Sequence, residues 1–460
     1  MTETIKIYSP VDGKLYAERP VTTAAELEAA LVRAKAARHA WAEVTLAERA
    51  KFLGHFLDAL ELANDAIVPE LAWQMGRPVR YGGEKRGVEE RGRHMIAIAE
   101  AALAPLEKTD RPGFTRCIAR EALGNVLVVA PWNYPFLTAI NSIVPGLMAG
   151  NAVMLKHASQ TLLAGERFAD AARVAGLPDG LFQNLVLRHA DTEALIGSGA
   201  IDHVNFTGSV EGGRSIEKAA AGTFATLGLE LGGKDPAYVR ADADLDLAVE
   251  TLVDGSFFNS GQSCCGVERI YVEAAVYDRF VEGFVEAARG WTLGDPLDPG
   301  TVVGPMARPG FADHVRAQRD AAVLQGARAH LLTRDDRDRP GSPYLAPEVL
   351  TQVDHGMAVM REESFGPIVG IMRVADDHEA IGLMNDSPYG LTASIWTRDL
   401  DAAARLGRQV ETGTVFANRC DYLDPGLVWT GVKDSGKGGA LSEIGYANLT
   451  QPKSYHLKQV

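Results

Sequence analysis

Apolar positions in the first hundred residues recur at helical spacing. Leu46, Leu53, Phe56, Leu57 and Leu60 fall on one stripe, and two capping boxes, Thr23 with Glu26 and Thr45 with Glu48, mark helix starts. The pattern predicts helices through this stretch, with the stripe as core. From Val126 the texture changes to short apolar runs at 126–130, 152–155 and 203–206, separated by helical stretches such as 162–175. The segment Gly176-Leu177-Pro178-Asp179-Gly180 stops that helix, and Gly294-Asp295-Pro296 and Arg339-Pro340-Gly341 mark later loops. Strands alternating with helices predict a parallel sheet, and a second α/β region follows Glu230.

Size and charge narrow the class. A chain of 460 residues exceeds one ordinary core and implies two or three domains. Its 60 acidic against 46 basic residues give a net charge of -14, which disfavours nonspecific binding to nucleic acid or anionic membranes. No run approaches the roughly 18 apolar residues of a membrane span, and the stretch MTETIKIYSP lacks a basic region followed by an apolar one. A cytoplasmic enzyme is expected. The four cysteines, Cys117, Cys264, Cys265 and Cys420, are too few and too irregular for a disulfide framework, and no Cys or His spacing suggests a metal site.

The stretch FFNSGQSCCGVER, 257–269, puts Cys264 after a Gly-Gln turn, which reads as a presented nucleophile. Upstream, LELGGK at 229–234 ends an apolar run in a carboxylate followed by two glycines, making Glu230 a candidate base. The run 126–130 ends in Pro-Trp-Asn-Tyr-Pro, so Asn133 falls at a strand's carboxyl end, where open α/β sheets bind ligands. A thiol, a carboxylate and an amide donor are the three parts acyl chemistry needs. No GxGxxG fingerprint follows a strand. Ser209 and Gly213 flank the start of a helix after the 203–206 run, where free N–H groups favour a pyrophosphate.

With these motifs in order, the chain closely resembles the aldehyde dehydrogenase superfamily from about Ile7 to the C-terminus. The resemblance rests on PWN at 131–133, Lys156-x-x-Ser159, FTGSVEGG at 206–213, LELGGK, GQSC, EESFGP at 362–367, NDSPYGL at 385–391 and GVKDSG at 431–436. It implies an α/β fold: a Rossmann-like parallel-sheet cofactor domain (1–103 and 123–229), an α/β catalytic domain (230–445), and a small β oligomerisation element (104–122 and 446–460). It also implies oxidation of an aldehyde to the free acid with NADP or NAD. Cys264 would form a thiohemiacetal and then a thioester, Asn133 would stabilise the oxyanion, and Glu230 would activate water. Members that hand the acyl group to coenzyme A typically lack this glutamate. The implied cofactor positions are Trp132, Lys156, Ser159, Gly208, Ser209 and Gly213, with Leu231, Glu363 and Phe365 on the nicotinamide side. Where Ser159 stands the family often has a glutamate that repels a 2′-phosphate, so NADP should be accepted. Lys156 and Lys234 are candidate sources of positive potential.

The implied substrate pocket holds Tyr134, Thr138, Asn141, Ser263, Cys265 and Tyr422, the last within an entrance loop at 418–429. This fairly polar lining suggests a polar small-to-medium aldehyde. Members that take carboxylated semialdehydes often carry an arginine where Asn141 stands. Its absence argues against succinate semialdehyde, unless Arg419 replaces it. Cys265 is read as a neighbour shaping the pocket. After Ser435-Gly436 the family's Gly-Arg-Glu gives way to Gly438-Gly439-Ala440, and His157 stands where a proline is common. A homodimer or homotetramer is expected, through the segments 104–121 and 448–460. A thiol-dependent esterase without redox, and a silent scaffold of the same fold, stay open on sequence grounds.

Overall fold

Both capping boxes form. In the computed structural model, which describes residues 3–330, 332 and 334–460, Thr23 caps helix Ala24–Ala42 and Thr45 caps helix Leu46–Leu62; each threonine hydroxyl accepts from its glutamate's N–H. The first two positions of the N-terminal stretch lie outside the described residues. Leu53, Phe56, Leu57 and Leu60 are buried, and Leu46 packs at the edge of their cluster. One expectation fails at the N-terminus. Residues 4–20 form a hairpin, Thr4–Tyr8 antiparallel to Leu15–Pro20, around Asp12-Gly13 rather than a helix. Alternation at Ile5 and Ile7 before an Asp-Gly turn was its signal.

The apolar runs become a six-stranded sheet. Its order is Gly436–Lys437, Thr226–Glu230, His203–Thr207, Asn125–Val129, Ala152–Lys156, Phe182–Asn184, parallel except for the first strand. The chain starts at Asn125–Val129, builds outward on one side, then crosses to the other. This leaves a topological switch point between that strand and His203–Thr207, where the loops bearing Asn133 and Ser209 diverge.

A second, seven-stranded sheet runs Arg328–His330, Glu348–Thr351, Ile368–Val374, Val267–Glu273, Asp235–Val239, Thr392–Trp396, Thr414–Ala417, with the first pair antiparallel. Glu230 ends a strand of the first sheet and Asp235 opens one of the second, so Leu231 to Lys234 bridge the two. A third sheet pairs Thr450–Lys458 with Phe114–Ala122 over nine residues and adds Leu106–Glu107. Among the described residues, no helix is long and apolar enough to cross a membrane.

Candidate active site

Helix Leu245–Phe257 delivers the chain to the cysteine turn. Asn259, Ser260 and Gly261 then take left-handed backbone angles in succession, φ 54°, 57° and 69°. Gly261 has no alternative, because a Cβ there would lie 2.2 Å from the Gly366 carbonyl oxygen. The turn is pinned on all sides: Ser260 Oγ donates to the Gly304 carbonyl (2.9 Å), Gln262 Oε1 accepts from Ala307 N–H (2.8 Å), and Gln262 Nε2 donates to the Asn259 carbonyl (3.0 Å). Such strain persists only where surrounding contacts over-determine it. Cys264 emerges half-buried in a cavity of about 510 Å³ that Glu230 and Asn133 also line.

Asn133 is 4% exposed, and its Nδ2 donates to the Gln262 carbonyl at 3.2 Å, leaving a second amide hydrogen in the cavity wall that Cys264 also lines. Its position is set from a distance. Arg77 donates to the Asn133 carbonyl, forms a buried ion pair with Glu84, and stacks 4.8 Å over the Tyr134 ring. Glu84 in turn accepts from Phe136 N–H (3.0 Å) and Leu137 N–H (2.7 Å), capping the helix Pro135–Met148. A carboxylate at that helix end also meets the dipole favourably.

Glu230 accepts from the Thr207 hydroxyl at 3.1 Å. Burial pushes its carboxyl up to about 7, against the opposing pull of Thr207 and the Arg91 guanidinium. The same strand end is stitched to GVKDSG, since Leu231 N–H donates to the Ser435 carbonyl (3.0 Å) and Ser435 Oγ to the Gly232 carbonyl (2.7 Å). The departure at Gly439 and Ala440 has a steric account. A Cβ on Gly439 would lie 2.6 Å from Val428, and Ala440 is buried in a mutual backbone pairing with Trp429.

One end of the cavity suits a dinucleotide. Trp132, Lys156, Ser159, Gly208, Ser209, Leu231, Glu363 and Phe365 all line it. Ser209, which caps helix Val210–Ala220, and Gly212 both line it, so the helix's N-terminal turn borders the cavity. Gly213 does not line it; a Cβ there would lie 2.6 Å from Leu231, so this glycine lets helix and strand pack closely. Lys156 is buried with no carboxylate partner among the described residues, and burial lowers its ammonium to about 8. An unpaired buried cation at a cavity wall fits a ribose phosphate. His157 is structural: burial drops it to about 4, and the neutral ring bridges the Pro135 carbonyl (3.2 Å) and the Thr161 hydroxyl (3.2 Å). Arg308, His189, Phe311 and His314 also line the cavity and were not singled out by sequence, because they come from loops and helices remote from the motifs.

Lys234 corrects an expectation. It adds no potential to the cavity, because it is buried against Glu268 at 2.6 Å and Ser364 Oγ at 2.9 Å. Glu268 also accepts from Ser364 N–H (2.8 Å) and Phe365 N–H (2.9 Å), which holds Phe365 at φ 49°. The pair therefore anchors the loop that presents Glu363 and Phe365. Glu363 accepts from Gly233 N–H at 3.1 Å, and burial with the nearby Glu268 charge raises it to about 8. Lys234→Met should cost about 3–5 kcal/mol by leaving Glu268 buried without its cation. Urea unfolding checks this, and adding Glu268→Gln should recover part of the loss; a Lys234→Met protein as stable as the parent would contradict it.

None of the six positions expected in the substrate pocket, Tyr134, Thr138, Asn141, Ser263, Cys265 and Tyr422, lines this cavity. Ser263 Oγ and Cys265 Sγ both donate to Asp421 Oδ1 at 2.9 Å, and hydrogen bonding to Cys264 with burial holds the Cys265 thiol protonated. Asn141 is buried and accepts from Arg91 Nη1 at 3.4 Å. Thr138 is satisfied by the Tyr134 carbonyl (2.8 Å), and the Tyr422 hydroxyl donates to Glu90 (2.7 Å). Arg419 is exposed and stacks on Tyr422, so it does not replace the missing arginine. Asp421 and Arg91 were both missed by sequence reading.

Comparison with known proteins places this geometry. The model of the aldehyde dehydrogenase family matches residues 1–455. The chain belongs to the aldehyde dehydrogenase family. It is 35% identical over 460 aligned positions, 98% of this chain and 94% of the other, to a succinate-semialdehyde dehydrogenase [NADP(+)] of Mycobacterium avium. It is 33% identical to a 3,6-anhydro-alpha-L-galactose dehydrogenase of Streptomyces coelicolor, covering 99% and 93% of the two chains. Among solved structures, a succinic semialdehyde dehydrogenase from Streptococcus pyogenes in complex with NADP+ superposes with a TM-score of 0.93 at 26% identity, covering 99% of this chain and 100% of that one. The α/β architecture with two parallel-strand sheets is thus that of the family.

Proposed function

We propose that the protein oxidises a polar small-to-medium aldehyde to its free carboxylic acid with NADP or NAD. The observation that carries this is the shared cavity wall: Cys264, Asn133 and Glu230 line the same cavity as Lys156, Ser159, Ser209, Glu363 and Phe365, which suit a dinucleotide. Cys264 Sγ attacks the aldehyde carbon and forms the C–S bond of a thiohemiacetal. The free Asn133 amide hydrogen and the Cys264 backbone N–H take the charge on oxygen, worth roughly 3 kcal/mol per donor. A bound nicotinamide supplies the hydride acceptor that turns this adduct into a thioester. Glu230, as carboxylate, then removes a proton from water as its oxygen attacks the thioester carbon; the C–S bond breaks and the acid leaves. Relatives named for succinate semialdehyde and an anhydrosugar both act on polar aldehydes.

Unpaired Lys156 and the hydroxyl of Ser159 support acceptance of the NADP 2′-phosphate. Ser159→Glu should lower kcat/KM for NADP by roughly 30-fold or more while changing NAD far less, because it places a carboxylate against a phosphate. Reduced-cofactor absorbance with both dinucleotides, and their binding by tryptophan quenching, check this; an unchanged NADP value would place the phosphate elsewhere. The reading as a whole is tested with a panel of aldehydes, where no turnover with either dinucleotide would refute it. Residues 1–103 with 123–229 would form the cofactor domain and 230–445 the catalytic domain. The third sheet, whose strand Thr450–Lys458 is mostly exposed, would pack against another copy in a dimer or tetramer. Four free cysteines suit the reducing cytoplasm.

A further inference from the structure

The segment 418–422 is fixed at three points around one strained residue. Asn418 uses both ends of its amide on Thr397, accepting from its N–H (3.0 Å) and donating to its carbonyl (2.9 Å). Cys420 is buried against helix Leu245–Phe257, where its Sγ donates to the Thr251 carbonyl (3.6 Å) and a Cβ on Gly255 would lie 2.6 Å from the sulfur. On the other side, the Tyr422 hydroxyl donates to Glu90 (2.7 Å). Between these anchors Asp421 takes a left-handed φ of 47°. Aspartate tolerates that backbone better than most residues, and it persists where the surroundings over-determine it.

The strained residue delivers one carboxylate oxygen to both neighbours of the nucleophile. Asp421 Oδ1 accepts from Ser263 Oγ and from Cys265 Sγ, each at 2.9 Å, and reaches Ser263 across 158 positions of the chain. Ser263 and Cys265 are 4% and 3% exposed, and neither lines the cavity, whereas Cys264 between them does. The side-chain pins described above end at Gln262. Asp421 carries the hold across the nucleophile. A reacting sulfur must meet its carbon at about 3–3.5 Å in the right direction, and a misplacement of about 1 Å can cost roughly 10²-fold.

We propose that Asp421 is a positioning residue: by drawing Ser263 and Cys265 to one oxygen, it turns the Cys264 sulfur into the cavity and keeps the Cys265 sulfur out of it. Asp421 acts through those two residues and does not touch the substrate. Two adjacent thiols thus take different roles, one presented and one held back, because a loop remote in sequence binds only the second. This rests on the reaction proposed above, in which Cys264 is the nucleophile.

Asp421→Ala should lower kcat roughly 30- to 100-fold, by the same factor for aldehydes of different length and charge, while dinucleotide binding changes less than about threefold. Asp421→Asn keeps an oxygen that can accept both bonds and should hold kcat within about fivefold of the wild type. A loss in Asp421→Asn as deep as in Asp421→Ala would assign the effect to charge and overturn the proposal. The double variant Ser263→Ala with Cys265→Ala should show the Asp421→Ala loss by itself, which keeps the test open if Asp421→Ala does not fold. Adding Asp421→Ala to that pair should cost less than about threefold more. Full additivity there, or a loss that differs from one aldehyde to the next, would put Asp421 against the substrate and overturn its role as a positioning residue. Alkylation with iodoacetamide, located by mass spectrometry of the peptide bearing both cysteines, reads the hold without turnover. The label should stay on Cys264 in the wild type and Asp421→Asn, and spread to Cys265 in Asp421→Ala. That pattern without turnover of any aldehyde would refute the reaction and keep the hold on Cys265. A label still confined to Cys264 in Asp421→Ala would overturn the proposal whatever the rates, and leave the reaction standing if the wild type turns over.

Discussion

Cys264→Ala should abolish aldehyde-dependent reduction of NAD and NADP, a loss of roughly 10⁴-fold or more, while dinucleotide binding persists. Among the described residues that line the cavity, Cys264 is the one thiol. Cys265 is the nearest substitute, yet it is buried, donates to Asp421, and is held as a neutral thiol. Cys264 instead sits half-buried where a pinned left-handed turn opens into the cavity beside Asn133 and Glu230. Alanine keeps the backbone N–H and the turn, so only the sulfur is lost. Absorbance of the reduced cofactor measures the rate, and quenching of tryptophan fluorescence, with Trp132 in the cavity wall, reports dinucleotide binding. Cys265→Ala is the informative contrast and should lose less than tenfold. A residual Cys264→Ala rate above a few per cent, or a greater loss in Cys265→Ala, would give the chemistry to the wrong sulfur.

The trio was legible because each member lies in a short local pattern: a strand run ending at Asn133, another ending at Glu230, a Gly-Gln turn before Cys264. Period 2 and period 3.6 patterns likewise located the strands Asn125–Val129, Ala152–Lys156 and His203–Thr207 to within a residue. What failed was whatever depends on contacts distant in sequence. Lys234, beside two glycines, read as a source of potential until Glu268 was seen 2.6 Å from it. Arg77 and Glu84 set the Asn133 turn from more than fifty and nearly fifty residues upstream, and nothing in their own surroundings marks them. Arg91 was one of several charged residues on an ordinary amphipathic helix. Its contacts with Leu137 and Asn141 exist only once the two helices pack together. Asn141 and Ser263 were readable as polar positions, but their charged partners, Arg91 and Asp421, were not.

Glu230→Gln should separate the two halves of the reaction. Thiohemiacetal formation and oxidation need Cys264 and Asn133, whereas release of the acid needs a proton taken from water. The variant should therefore give a burst of reduced cofactor approaching one per site, followed by a steady rate lowered roughly 10²–10⁴-fold. Stopped-flow absorbance reads the burst, and mass spectrometry of the peptide bearing Cys264 reads the accumulated acyl adduct. The pH profile carries the sign. A general base works only when deprotonated, and burial raises Glu230 to about 7, so the wild-type steady rate should fall as pH drops through about 7. Glutamine cannot titrate, and that limb should vanish. The same shift bears on stability. The folded state binds this proton more tightly than the unfolded chain, so the group's contribution to stability is present at low pH and is lost as pH rises through about 7. Glu230→Gln should then melt higher than the wild type at pH 8 but not at pH 4.5, as expected where catalysis keeps a carboxylate in a place that disfavours its charge. Loss of burst and steady rate together, or survival of the acid limb in the variant, would put the base on another residue.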